Sequence, residues 1–328
     1  MNACFYSRTI PHALTAMLLL AGALNSRDLK AETVNWIPIG SPAARACTSM
    51  AYDPATGTDV LFGGLGESHN DLGDTWIWRG GWFPTAPATS PSPRVGSGMA
   101  FDGTNIVLFG GGNGSGQLGD TWTWNGINWT QQFPPVSPSP RSTTMVYDAA
   151  IGKVLLFGGT DSTNVLGDTW VWDGAAKTWT QQNPTASPSA RASEGLAYDA
   201  ASQTVVLFGG NDGSSTTFSD TWTWNGTSWA KQSPGASPSP RGGAGMTYDA
   251  EIGLVVLFGG VELGSIDSFN DTWLWNGTNW TQFQPANVPA NRYNFCMDYE
   301  PTYKAVLMFG GYSSGPARGG TWLLSVVP

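Results

Sequence analysis

Histidine is almost missing from this 328-residue chain, which holds two, His12 and His69. That shortage excludes a conventional zinc centre and a serine–histidine–aspartate triad, both of which depend on imidazole. Cysteine is equally scarce. Cys4, Cys47 and Cys296 make neither a disulfide framework nor a metal cluster. Charged residues reach only 12%, and with Lys, Glu and Leu in short supply long helices are not expected. No apolar run approaches the roughly 20 residues that a helix needs to cross a bilayer. No glycine-rich loop leads from a strand into a helix, so a phosphate cradle of that kind is absent. The formal net charge is −9, with the acidic residues spread singly. A surface of that sign repels phosphate backbones and removes nucleic acid from the expected partners. Neutral sugars and proteins remain.

What the chain has in quantity is glycine (43), proline (22) and tryptophan (17), the composition of many short strands joined by tight turns. The first thirty or so residues stand apart. Arg8 precedes the apolar run Ala13 to Leu24, and Ala21-Gly22-Ala23 has the small-x-small form of a signal-peptidase site, with Ala31 a second possible cleavage point. Residues 1–31 are therefore read as a cleavable export signal, with a retained membrane anchor as the alternative. Residues 32–328 are read as one domain outside the cytoplasm.

Repetition organises that domain. Phe-Gly-Gly closes an apolar run at Phe62, Phe109, Phe157, Phe208, Phe258 and Phe309. An arginine ends a Ser/Pro/Ala-rich stretch at Arg45, Arg94, Arg141, Arg191, Arg241 and Arg292, at intervals of 47 to 51 residues. Asp-Thr-Trp-x-Trp follows at Asp74, Asp120, Asp168, Asp220 and Asp271, and Trp322 holds the same place in the sixth unit. Asn-Gly or Asp-Gly then precedes a lone tryptophan in four units, a strong hairpin signal. Each unit thus reads as four antiparallel strands. The sixth stops short of its fourth strand, and Val34-Asn35-Trp36 supplies a matching one from the other end. The expectation is an all-β, six-bladed propeller whose last blade is closed by the strand around Trp36, hiding both sheet edges.

Paired glycines after an apolar strand, then Trp-x-Trp, then a spaced tryptophan, at a period near 50, resemble kelch repeats, as in the central domain of galactose oxidase. The resemblance covers nearly all of residues 32–328. It implies that the tryptophans build the spaces between blades. It does not carry over copper-radical chemistry, which needs histidine ligands and a tyrosine–cysteine cofactor, whereas His69 is the one histidine beyond the signal. No catalytic residue, metal or cofactor is expected.

Within this frame the arginine opening strand one and the aspartate opening strand three share a rim, which predicts an intrablade Arg–Asp pair in blades one to five. Blade six has Gly319-Gly320-Thr321-Trp322, so Arg292 lacks that partner and must be solvated, paired elsewhere or free to hold an anion. Cys47 and Cys296 have equal parity in their strands, point the same way round the ring and are not expected to bond. Function should lie where repeats differ. Candidate ligand-binding residues are Glu194, the one carboxylate at a position otherwise held by Thr48, Ser97, Thr143, Ala244 and Phe295, together with Phe295 itself, Arg292, Tyr293, Tyr312, Arg318 and His69. Three readings follow. The first is a monomeric, non-catalytic binding module taking a protein or glycan on the loop rim. The second is a saccharide isomerase or lyase similar to the kelch-type sialic acid mutarotases, with Glu194 as acid/base and Arg292 or Arg318 on a carboxylate. The third is a structural cell-surface protein.

Overall fold

A computed structural model describes residues 33–39, 43–265, 267–313 and 316–327, and the predicted export signal lies outside them. The fold is all-β and the described residues contain no helix. Blade two shows the plan: Gly98–Phe101, Ile106–Phe109, Thr121–Trp124 and Trp129–Gln132 pair antiparallel in chain order from the inside outward. Blades three, four and five repeat it from Ser142–Asp148 to Thr178–Gln182, Gly195–Asp199 to Trp229–Lys231 and Gly245–Asp249 to Trp280–Phe283. Blade one adds the short Arg45–Ala46 to the usual four, paired with the end of Thr58–Gly66.

Blade six closes the ring as the repeat count requires. Thr33–Ile39 lies antiparallel on Thr321–Val327, with Trp36 opposite Leu324, outside Ala305–Phe309 and Cys296–Glu300. The six inner strands touch in an unbroken cycle around the axis. Each ends in or is followed at once by a buried acid, Asp53, Asp102, Asp148, Asp199, Asp249 or Glu300, whose carboxylate accepts amides of the following turn. That local bond sets the first hairpin of every blade.

Between neighbouring blades lies one hydrophobic cluster per seam, six in all. Strand alternation puts both tryptophans of Trp-x-Trp on one face; the second, such as Trp124 or Trp224, is fully buried. The fourth-strand tryptophan spans the seam. Trp129 of blade two donates its indole N–H to Thr75 Oγ1 of blade one at 2.9 Å, and Trp179, Trp229, Trp280 and Trp82 do the same to Thr121, Thr169, Thr221 and Thr321. The Trp and Thr of the repeat are thus a seam between units, and the polar end of a large buried ring is satisfied.

The Arg–Asp pairs form in blades one to five, each guanidinium buried and its carboxylate on the rim. Cys47 and Cys296 are free thiols. The loops between strands two and three are more ordered than their composition suggests. In blades one and three the flanking strands run on past Phe-Gly-Gly as hairpins, to Gly66 and Thr160.

Candidate functional site

The inner strands wall an axial channel, and one side chain per blade plugs its middle. Met50, Met99, Met145, Leu196, Met246 and Met297 border both chambers that remain, one of about 360 Å³ on the arginine rim and one of about 320 Å³ at the other end. Each sits two residues before the strand-ending Tyr or Phe, which was visible in the sequence as a recurring methionine but not singled out. Unbranched thioethers adapt to a crowded axis where β-branched side chains would clash.

Above this floor the rim chamber has a polar wall. The residue two after the repeat arginine is left-handed in five blades: Cys47 (φ 54°), Gly96 (64°), Ser193 (59°), Gly243 (65°) and Asn294 (53°). That conformation turns the backbone toward the next blade and links them by amide-to-carbonyl bonds. Cys47 donates to Asn294, Gly96 to Cys47, Thr143 to Gly96, Gly243 to Ser193, and Asn294 to Gly243, at 2.7–3.1 Å. Blade three departs from the rule. Its strand runs straight through Ser142–Asp148 with a register shift between Ser142 and Thr144. The ring of bonds therefore opens at one step, between Thr143 of blade three and Ser193 of blade four.

Glu194 stands at that opening. It is 3% exposed and borders the chamber, and neither carboxyl oxygen reaches a partner among the described residues. Desolvation pushes its carboxyl up from 4.5 to about 7, against a smaller opposing pull from its own amide and Arg191. A buried group without partners is costly, so Glu194 is the strongest chemical feature of the chamber. Phe295 also lines it, but packs edge-on against Phe258 at 5.8 Å and belongs to the seam between blades five and six.

The remaining predicted residues lie elsewhere. Tyr293 and Tyr312 pair as a β-bridge in blade six with ring centroids 5.7 Å apart. The Tyr312 phenol is raised, by burial first and by neighbouring Cys47 and Tyr293 second. Cys47 is itself pushed up to about 11 by burial. Arg292 is 2% exposed; its Nε and Nη1 donate to the carbonyls of Ala290 and Gly310 at 3.1 and 3.0 Å, and no carboxylate among the described residues pairs with it. Burial, then the charge of Arg318, brings its guanidinium down to about 10. Neither arginine lines the rim chamber. His69 is exposed at the tip of the blade-one hairpin, its amide bonded to Gly66 O at 2.9 Å. The structure thus brings Arg292, Tyr293, Tyr312 and Arg318 together in blade six and leaves Glu194 in blade four. Among the described residues no three His, Cys, Asp or Glu side chains group as a metal site, and no helix is long and apolar enough to cross a membrane.

Six four-stranded blades around a plugged channel define a six-bladed β-propeller. The chain belongs to the kelch-repeat family: the model described as KLHDC2/KLHL20/DRC7 Kelch-repeats domain matches residues 23–197 and, again, 152–326. No curated relative matches it. Among solved structures it is similar to the one titled "Structure of YjhT", with a TM-score of 0.67, 16% identity, and coverage of 87% of this chain and 96% of that one. At that identity the likeness is one of fold.

Proposed function

We propose that this chain is a binding module, working after export from the cytoplasm, that seats a small neutral polar ligand of saccharide type in the rim chamber. One observation carries the reading. Among the described residues the interblade ring of backbone bonds opens at one step, beside the buried Glu194 carboxyl, which has no partner there. A ligand hydroxyl there would supply the missing hydrogen bond. The surrounding hydroxyls of Thr48, Ser97 and Thr143 over a thioether floor match a ligand with polar edges and apolar faces. A chamber of about 360 Å³ lies at the small-molecule end of known sites. A protein partner would need the wider rim instead.

The test is calorimetric titration of the full chain with a panel of neutral monosaccharides. Saturable binding that weakens about tenfold or more in Glu194→Gln supports the chamber. Uniform silence across the panel, or binding indifferent to Glu194→Gln and Thr143→Val, removes it.

A carboxyl held near 7 can also give and take a proton at neutral pH, which favours a second reading, acid–base isomerisation of a bound sugar. Exchange spectroscopy of the anomeric protons decides it: interconversion no faster than in buffer sinks this reading and leaves binding intact.

A further inference from the structure

In five blades the strand-three carboxylate sits in a three-donor seat. Asp120 is typical: Arg94 Nη1 and Nη2 reach it at 2.6 and 2.9 Å, and Trp122 Nε1 at 2.7 Å. A serine two residues before the arginine gives Nη2 a second acceptor in blades two to four, through Ser92, Ser139 and Ser189. An apolar residue two before the aspartate completes the site; in blades four and five it is Phe218 or Phe269, 4.1 and 3.9 Å above the guanidinium.

Blade six keeps the donors and replaces the rest. Arg292 and Trp322 remain, Gly320 stands where the aspartate would be, Ala290 where the serine would be, and Arg318 where the covering apolar residue would be. The Arg292 guanidinium lies 5.9 Å from the Trp322 ring, the same separation as Arg45 and Trp76 in blade one, where Asp74 is present. The seat therefore holds its shape without its carboxylate. Among the described residues a Cβ placed on Gly320 would meet Trp322 Nε1, at 3.5 Å, and nothing nearer, so no described side chain stands where the aspartate would begin. The aspartates of the other blades keep 18–39% of their side chains exposed, which puts the seat at the solvent edge of the rim. Arg318 adds a second guanidinium whose Nε is buried without a partner among the described residues.

We propose that blade six carries a binding seat for a small carboxylic acid, in which Arg292 and Trp322 Nε1 grip the carboxylate and Arg318 supplies a second positive charge. Guanidinium–carboxylate pairing of this geometry is strong and directional. In blades four and five one carboxylate faces one guanidinium beneath an aromatic ring; in blade six a monocarboxylate leaves one positive charge over. A short dicarboxylate is therefore the preferred ligand class.

The experiment is thermal unfolding of the full chain titrated with acetate, malonate, phosphate or chloride at constant ionic strength, each variant referred to its own ligand-free midpoint. The expected result is saturable stabilisation by malonate, weaker stabilisation by acetate and none specific to chloride. Trp322→Phe, which keeps an aromatic ring in the seam, should weaken both acids about tenfold. Arg318→Gln should weaken malonate more than acetate. Stabilisation by phosphate equal to that by malonate, a chloride effect of the same size, or titrations unchanged in both variants would overturn the seat. Glu194→Gln should leave these titrations unchanged, which separates this site from the chamber.

Discussion

Arg94 and Asp120 of blade two form a two-pronged ion pair, 2.6 and 2.9 Å, in which the guanidinium is wholly buried and the carboxylate keeps about a quarter of its surface. The arginine does more than neutralise. It also bonds the Gly110 carbonyl, so it ties the Phe-Gly-Gly corner to the start of strand three. Removing the acid alone strands a buried cation. Asp120→Ala should therefore cost about 3 kcal/mol in urea unfolding. Burial alone would raise the Asp120 carboxyl, but bonds from Arg94 and Trp122 and the charge of Arg94 outweigh it and hold it below 3.8. A lowered folded value means the stabilisation is present above about pH 4 and fades as pH falls through that value. The deficit of Asp120→Ala should shrink accordingly in acid; a deficit independent of pH would show that the ion pair is not its source.

The pair was legible in the sequence because its two halves recur at fixed offsets, and so was the blade count. Ring closure was legible from the missing sixth tryptophan and Trp36. These features depend on local chemistry repeated six times. The chamber was less so. Glu194 stands out as a lone carboxylate in its column, but its isolation depends on Ser142 and Thr143 running straight through a position where blades two and five have glycine. That is a backbone choice made by the neighbouring blade. The left-handed Cys47, Ser193 and Asn294 carry no sequence mark of it. The methionine plug did carry one, and needed only the knowledge that its column faces the axis.

Glu194 gives the chain a pH dependence of opposite sign to the ion pairs. Its folded value of about 7 lies above the ordinary 4.5, so the folded state binds the extra proton. The benefit is complete below about pH 4.5, is lost as pH rises to 7 and stays lost above. A shift of that size corresponds to roughly 3 kcal/mol. Glu194→Gln keeps the shape and drops the titration. Relative to the parent it should gain on the order of 2–3 kcal/mol between pH 4.5 and pH 8. Equal differences at both pH values would mean that the carboxyl already has a partner.

A second buried acid makes the same case on the opposite side of the channel plug. Asp59 occupies a strand-two position filled by Ile106, Val154, Val205, Val255 and Val306 in the other blades. It is fully buried and neither oxygen is bonded among the described residues. Across the seam, Asp298 is well provided for, accepting from the amides of Tyr52 and Tyr299 at 2.8 Å and from Thr247 Oγ1 at 3.3 Å. Two buried carboxylates that feel each other's charge cannot both ionise cheaply. Desolvation first, then the charges of Asp298 and Glu300, drive Asp59 well above its ordinary value. The proton therefore rests on Asp59, and folding is favoured where that proton is retained. Stability should fall as pH rises through its folded value. Asp59→Val restores the residue of four other blades and removes both the unpaired oxygens and the repulsion. It should stabilise the chain by about 1–3 kcal/mol at pH 7, and by less at pH 4, where the acid is already neutral. Paired denaturation curves at the two pH values measure this. A loss of stability at pH 7 would show instead that Asp59 is needed as an acid, and that the seam between blades six and one was built around its charge.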